Sequence, residues 1–419
     1  MNKRSVILIL FQIANLIVSF FTTFYIASCL TSELYAVISV SFIITSLTNS
    51  FSFTGLDNYV SRNLYYWKKT DKKHYSLVMT TNAMFYRFIF AIIIQIPLSV
   101  YYAFLSVDKF EGDYYIFFLS FGILSSVTAL NDTLNLILRA NNHFILAAFY
   151  AFLTVFVSKL LTLLVFLKFG FHYYLYSLSF VPLVMLILQI KTIKRNFSFG
   201  VLFSIRQMLK QLVNRRYLLY SSYASFVFNY VDNFIVSLML PANVLGSYSF
   251  MKQIYAIGKT VIDNILDPVL LNLVALKNII SKAHEEYKRI YKIGRSLFVM
   301  SLICIPILIL FGRDILEILH LDHYCYIYPY IICCYLALVA YLLMKIPFYI
   351  NVTIDSEYLS FKIYLVTSII YIISSGVTFG LLPADCAALT LLISNLLIIG
   401  YLFSNRSNSI WNQISSYSI

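Results

Sequence analysis

The amino-acid sequence predicts an all-α integral membrane protein with about twelve transmembrane helices. The first reason is composition, since 60% of the 419 residues are hydrophobic, 12% are charged and the mean hydropathy is +0.81. The second is spacing, because apolar stretches of roughly 16 or more residues recur about twelve times, each near the ~20 that cross ~30 Å of hydrocarbon. The third is charge placement, because Lys and Arg gather in alternate connections. These properties exclude a soluble globular domain.

The predicted spans divide the chain into two lobes of six helices each. They lie at 5–29, 34–54, 83–106, 114–137, 144–167, 172–190, 218–240, 245–274, 296–312, 327–349, 361–380 and 384–403. We predict an N-terminal six-helix lobe, a basic amphipathic cytoplasmic linker, a C-terminal six-helix lobe and a cytoplasmic tail, at residues 1–190, 191–216, 217–403 and 404–419. Both lobes then start on the same side of the membrane, so an internal repeat would be parallel.

The basic charge is explained by topology rather than by a nucleic-acid partner. The formal net charge is +13, from 31 Lys and Arg against 18 Asp and Glu. If the N-terminus is cytoplasmic, most of the Lys and Arg residues fall in inside segments, as the positive-inside rule requires. An even helix count then makes the C-terminus cytoplasmic as well. The linker 191–216 carries basic residues and no acid, and its apolar side chains share one helical face, which predicts a helix on the anionic inner leaflet.

Several local motifs are weighed and set aside. The six Cys residues have neither a zinc spacing nor a disulfide pattern, so we predict no metal site and no cofactor. Ile26 to Cys29 is similar to a lipoprotein cleavage box, but the preceding apolar run is too long for a signal peptide and is predicted to be the first membrane helix. Gly258-Lys259-Thr260 ends like a phosphate-binding loop, yet Gln253 stands where the first glycine belongs, which argues against ATP hydrolysis.

Charged side chains inside two predicted spans indicate a translocation route. Asp232 lies in the span 218–240, where Asn229 shares its face. Lys252, Lys259 and Asp263 lie in the span 245–274 and fall within about 40° of one another around the helix axis. A charge at the bilayer centre costs about 2.5–3.5 kcal/mol or more, so such residues usually face a bundle interior or a cavity. Lys259 and Asp263, one turn apart, could also neutralise each other.

The first half of the chain supplies further candidates. Asn15 lies on a polar stripe of the first span, and Arg87 and Asp132 lie near the cytoplasmic ends of theirs. Lys159 lies deep in its span, at a depth similar to that of Asp232, so a pair between Lys159 and Asp232 across a cavity is geometrically possible.

The stretch around the charged spans carries a family resemblance. Its motifs are Asn229-Tyr-Val-Asp232-Asn-Phe-Ile-Val-Ser-Leu-Met-Leu240, Leu245-Gly246-Ser-Tyr248-Ser-Phe-Met-Lys252 and Leu266-Asp-Pro268. Here, at Gly55 with Arg62, and in the two-lobe layout, the chain resembles the polysaccharide-repeat (Wzx-type, O-antigen) flippases of the multidrug, oligosaccharidyl-lipid and polysaccharide exporter superfamily. Leu138-Arg139-Ala140-Asn141-Asn142 departs from the glutamine-glycine turn of that family.

The resemblance implies a MATE-like fold and a non-enzymatic flippase. An undecaprenyl-pyrophosphate-linked O-antigen or polysaccharide repeat unit would cross the bacterial inner membrane by ion-coupled alternating access. Cations suit a pyrophosphate, and amides suit a glycan. The expected substrate-binding residues are Lys159, Lys252, Lys259, Arg62, Arg87, Asn229 and Asn15. The expected ion-coupling residues are Asp232, Asp263 and Asp132, with H⁺ or Na⁺ as the coupling ion. The expected partners are the lipid-linked oligosaccharide, membrane lipids, a polysaccharide polymerase and a chain-length regulator.

Two other functions are weighed against the flippase. A cation-coupled multidrug antiporter of the same fold should have a net acidic, aromatic cavity, whereas the charged spans here hold several lysines. A membrane polysaccharide polymerase would present a larger outside domain than these short outside loops. The glycan, the coupling ion and the oligomeric state are left open by the sequence.

Overall fold

The computed structural model describes most of the chain, and the described part is helical. The described residues are 3–52, 60, 73–110, 114–140, 144–196, 206, 210, 213, 216–276, 280–319, 321, 328–353, 357–382 and 389–404. Within these ranges twelve α-helices have defined bounds, residues 60, 206, 210 and 213 are also helical, and there is no β-strand. The helices are α1 (Lys3–Cys29), α2 (Ser32–Phe51), α3 (Lys73–Lys109), α4 (Tyr115–Ala140), α5 (Phe144–Phe169), α6 (Phe171–Asn196), α7 (Arg216–Met239), α8 (Ala242–Leu276), α9 (Ile280–Ile318), α10 (Tyr328–Thr353), α11 (Glu357–Leu381) and α12 (Leu389–Ser404).

The predicted all-α membrane class is confirmed. Among the described residues, eight helices are long and apolar enough to cross a membrane, namely α2 to α6 and α9 to α11. Shorter apolar segments end α1 and form α12. Helices α7 and α8, which carry the charged side chains, belong to neither group. The number of membrane crossings and the cytoplasmic location of both termini stay predictions.

Helix α9 is longer than its predicted span. It has 39 residues, a length of about 58 Å against ~30 Å of hydrocarbon. The charged stretch before residue 296, which lies between the predicted spans 245–274 and 296–312, is helical from Ile280 onward. In the apolar part, large side chains such as Ile303, Leu310 and Ile318 are exposed. An exposed apolar face of this extent is what lipid contact requires.

The chain forms two compact units. The first unit consists of Met1–Ile26 and Val37–Phe226, and the second of Ala27–Ala36 and Val227–Ile419. The division falls inside α7, and the turn between α1 and α2 belongs to the second unit. The linker predicted at 191–216 and the tail predicted at 404–419 lie mostly outside the described residues.

In the first unit, α4 packs against α3, α5 and α6, and α5 packs against α6. Leu134 and Leu138 of α4 are fully buried in a cluster with Met84 of α3 and Ala147 of α5. Gly170 separates α5 from α6 with a φ of 84°. This left-handed conformation favours glycine and ends α5, and the Gly170 amide donates to the Phe166 carbonyl at 2.9 Å.

In the second unit, α10 packs against α8, α9, α11 and α12. Leu342 of α10 is buried in a core cluster with Leu266 and Leu270 of α8 and Ala283 and Ile290 of α9. Its four packed neighbours make α10 the central helix of this unit. Side chains on its other faces are therefore held in fixed positions relative to α8.

Glycine is required where α8 begins. A Cβ atom added at Gly246 would overlap the backbone carbonyl oxygen of Ser32, at the first turn of α2. The contact is supported nearby by the Tyr35 hydroxyl, which donates to Gln253 Oε1 at 2.7 Å. Packing thus explains the glycine of the Gly246-Ser-Tyr248 motif, since only a hydrogen atom fits against the backbone of Ser32.

We expect Gly246→Ala to destabilise the protein, because the methyl group can be accommodated only by moving one backbone away from the other. The expected result is a fall in Tm of roughly 5 °C or more in detergent, measured by thermal unfolding. Gly376→Ala is the matched control, since nothing lies within 4 Å of its added Cβ. Equal Tm values for the two variants would contradict the close backbone contact.

Candidate functional site

A cluster of polar side chains lies inside the second unit. Spacing along the helices creates it, because Asn229 and Asp232 share one face of α7, and the α8 members follow one another at steps of three and four residues. Helices α10, α11 and α12 complete it. The polar cluster consists of Asn229, Asp232, Tyr248, Lys252, Tyr255, Lys259, Asp263, Tyr341, Lys345, Tyr371 and Asn395.

Asp232 is the most enclosed charge of the polar cluster, with a side chain that is 0% exposed. Lys252 Nζ lies 2.5 Å from Asp232 Oδ1 and also donates to the Asn229 carbonyl oxygen at 2.9 Å. The Tyr248 hydroxyl donates to the second carboxylate oxygen, Oδ2. Tyr371 of α11 is a further hydrogen-bonding neighbour. A buried carboxylate needs such a set of donors, since an unpaired charge in an apolar bundle is costly.

Asp263 makes a second ion pair, one that the sequence did not predict. Lys345 Nζ of α10 lies 2.7 Å from Asp263 Oδ1, and the Tyr341 hydroxyl donates to the same oxygen at 2.7 Å. The direct ion pair of Asp263 is thus made by Lys345, while Lys259 one turn away also interacts electrostatically with Asp263, as the alternative from sequence expects.

Lys259 lies between these two ion pairs. Its Nζ donates to Asn229 Oδ1 at 3.0 Å and lies 5.0 Å from the centroid of the Tyr341 ring. This is within the distance at which a cation is attracted to an aromatic face. An amide and a ring thereby position the ammonium group, which also interacts electrostatically with Asp263 and Asp232.

A cavity opens against the polar cluster. Its volume is about 240 Å³. The lining residues include Asn229, Lys252, Lys259, Asp263, Tyr371 and Asn395. Asn395 Nδ2 donates to the Tyr255 hydroxyl at 3.0 Å, which fixes the amide beside the cavity. The wall therefore presents ammonium groups, amides and phenol rings together.

The polar cluster is cationic overall. Lys252, Lys259 and Lys345 face Asp232 and Asp263 within it, so three ammonium groups against two carboxylates give a formal net charge of +1. An anion entering the cavity is favoured by this balance, and a cation is disfavoured.

The site residues predicted in the first half of the chain lie in the first unit. Asn49 Nδ2 of α2 donates to Asp132 Oδ2 at 3.3 Å, and the buried Arg87 guanidinium interacts electrostatically with Asp132. Lys159 is half-buried on α5. Asn15 Oδ1 is buried and makes no hydrogen bond within the described part of the chain. Arg62 lies outside the described residues.

The structure brings Asn229, Asp232, Lys252, Lys259 and Asp263 together, as the helical spacing indicates. Six members of the polar cluster were absent from the sequence prediction. They are Tyr248, Tyr255, Tyr341, Lys345, Tyr371 and Asn395. Lys345 lies near the end of the predicted span 327–349, which contributed no candidate residue to the sequence prediction. The signal available was the four-residue step from Tyr341 to Lys345 on an apolar helix.

The fold is that of polytopic membrane transporters. The lipid II flippase MurJ, in an inward closed conformation, superposes with a TM-score of 0.74 at 16% identity over 97% of this chain and 90% of that chain. An inward-facing multidrug resistance MATE transporter of the MOP superfamily gives 0.62 at 13% identity over 100% of both chains. A mutant of the Vibrio cholerae MATE transporter VcmN gives 0.60 at 12% identity over 97% of this chain and 98% of that chain.

Sequence then defines the family. Residues 2–274 match the family described as polysaccharide biosynthesis protein, and the chain belongs to this family. The resemblance to polysaccharide exporters is thereby confirmed. No curated protein sequence matches the chain significantly.

The Asp232–Lys252 ion pair should behave as one unit in stability measurements. Lys252→Met leaves a buried carboxylate without its ammonium, which typically costs about 3–5 kcal/mol. We expect the Asp232→Asn/Lys252→Met double variant to be more stable than the sum of the single effects by about 0.5–3 kcal/mol. Thermal unfolding of the four proteins of this double-mutant cycle measures the coupling. Strictly additive effects would contradict a direct ion pair.

Proposed function

We propose that the protein is a flippase for an undecaprenyl-pyrophosphate-linked O-antigen or polysaccharide repeat unit in the bacterial inner membrane. The observation that carries the proposal is the net cationic cavity, with Lys252 and Lys259 in its wall. A pyrophosphate carries at least two negative charges at neutral pH and is bound well by ammonium groups held in a low-dielectric site. Membership of the polysaccharide biosynthesis family supports a saccharide as the rest of the substrate.

The size of the cavity suggests which part of the substrate it takes. About 240 Å³ is below the ~300–1,000 Å³ of a cavity that holds a whole small molecule. It suits a head group and not a complete oligosaccharide. The lysines would hold the pyrophosphate, while Asn229, Asn395 and the tyrosine rings would contact the adjoining sugar. Lysine suits a transported anion because a point charge on a flexible stem binds without a fixed bidentate geometry.

The remaining predicted roles belong to the same proposal. Alternating access would expose the site to each side of the membrane in turn, coupled to H⁺ or Na⁺ through Asp232, Asp263 or Asp132. Lys159, Arg62, Arg87 and Asn15 would contact substrate from the first half of the chain. Membrane lipids surround the protein, and a polysaccharide polymerase and chain-length regulator would act on the exported unit.

We expect Lys259→Ala and Lys159→Ala each to reduce repeat-unit export by about tenfold or more, since each removes an ammonium that would hold the pyrophosphate. The measurement is surface polysaccharide in a deletion host complemented with each variant, with membrane insertion checked in parallel. Lys288→Ala is the control, because it removes the same charge from an exposed position on α9. Normal surface polysaccharide in both test variants would contradict the proposal.

A cation-coupled multidrug antiporter is the second candidate, favoured by the fold shared with MATE transporters. The net charge of +1 in the polar cluster opposes a lipophilic cation. We therefore expect overexpression to leave the minimal inhibitory concentrations of cationic drugs unchanged, while the same plasmid restores polysaccharide export to a deletion host. Drug resistance without restored export would favour the antiporter.

A further inference from the structure

We infer that Lys252 is exchanged between Asp232 and the phosphate of the substrate, and that Asp232 takes up one proton when the exchange occurs. This inference rests on the proposed function and adds to it a defined link between substrate binding and protonation. The link is located at one side chain. It predicts that the protein takes up a proton when substrate binds, which a simple cation exchanger would not do.

Lys252 is the member of the ion pair that can reach both partners. Its side chain is 12% exposed and lines the cavity, whereas Asp232 is 0% exposed and is not part of the cavity wall. Its Nζ already contacts Asp232 Oδ1 and the Asn229 carbonyl oxygen. A phosphate oxygen in the cavity therefore competes with Asp232 for the same ammonium group.

The competition is between similar interactions. Carboxylate and phosphate oxygens both accept short, charge-assisted hydrogen bonds, and the lysine stem has freely rotating bonds that allow a small shift of Nζ. A pyrophosphate offers more charge than one carboxylate. Substrate in the cavity is thus able to draw the ammonium away from Asp232 without moving α7 or α8.

Once Lys252 has left, keeping the Asp232 carboxylate charged costs free energy. The Tyr248 hydroxyl still donates to Oδ2 and Tyr371 remains a hydrogen-bonding neighbour, but neutral hydroxyls do not cancel the charge, and burial of an unpaired carboxylate is expensive. The titratable groups that face Asp232 come from three helices: Tyr248, Lys252, Tyr255 and Lys259 from α8, Cys334 from α10 and Tyr371 from α11. The one cation of this set besides Lys252 is Lys259, which lines the cavity and would be engaged by the same phosphate.

A proton is the compensating cation that this geometry favours. A metal cation needs a shell of several oxygen ligands. Asp232 Oδ2 already accepts from Tyr248, and one carboxylate oxygen, the Oδ1 that Lys252 leaves, is enough to take a proton. One proton taken from the buffered solution converts the Asp232 carboxylate to the neutral acid, while the Lys252 ammonium keeps all its protons and pairs with phosphate.

The test is the number of protons taken up when the full-length protein in lipid nanodiscs binds farnesyl pyrophosphate. Isothermal titration at pH 7 in two buffers of different ionisation enthalpy gives this number. We expect the wild-type protein to take up about one proton more per bound probe than Asp232→Asn does. The difference is the readout because ionisation of the probe contributes equally to both. Asp232→Asn should also bind several-fold more tightly, since Lys252 no longer has a carboxylate to leave.

Two further variants complete the experiment. Lys252→Met should weaken binding of the probe and abolish the extra proton uptake. This variant tests the inference if Asp232→Asn does not fold. Glu285→Gln makes the same chemical change as Asp232→Asn at an exposed position on α9 and should retain the wild-type proton number. Two outcomes would overturn the inference and leave the proposed function standing. One is an equal number of protons taken up by wild type and Asp232→Asn, and the other is probe binding that requires Na⁺ and takes up no extra proton. Failure of the wild-type protein to bind the probe would overturn the proposed function as well.

Discussion

The cost of keeping charge away from water is the constraint on which the second unit depends. Asp232 is fully buried in an apolar bundle, where its charge is tolerated because Lys252 and Tyr248 donate to both carboxylate oxygens. These donors come from α8, so α7 and α8 must stay in register. The same requirement recurs at Asp263, which ties α8 to α10 through Lys345. Ion pairs therefore fix how these helices pack.

Apolar packing positions the polar cluster without taking part in it. The buried cluster around Leu342 holds α10 against α8 and α9, and Tyr341 and Lys345 project from the same helix toward α8. At the start of α8, Gly246 contacts the backbone of α2 at Ser32. Neither contact involves a charge. Each one, however, determines which side chains of α8 reach Asp232 and the cavity.

Much of the fold could be predicted from the sequence, and less of the site. Hydropathy and helical spacing predicted the all-α class and the shared face of Lys252, Lys259 and Asp263, because both depend on local periodicity. The partners of the carboxylates were not predictable, since they depend on which helices pack together. Lys345 illustrates this, because it reaches Asp263 only through the packing of α10 against α8. The helical start of α9 was missed because a charged amphipathic segment lacks the hydropathy of a membrane span.

The exposed apolar faces, such as that of α9, have a consequence for how the chain can change over time. Lipid is fluid, and contact with it favours an apolar side chain of any shape. Leu, Ile, Val and Phe are therefore interchangeable at these positions. Many of these surface residues can be substituted without loss of the fold. This is consistent with TM-scores of 0.60–0.74 alongside only 12–16% identity to the transporters above. Selection can then act chiefly on a small number of interior positions, such as those of the polar cluster.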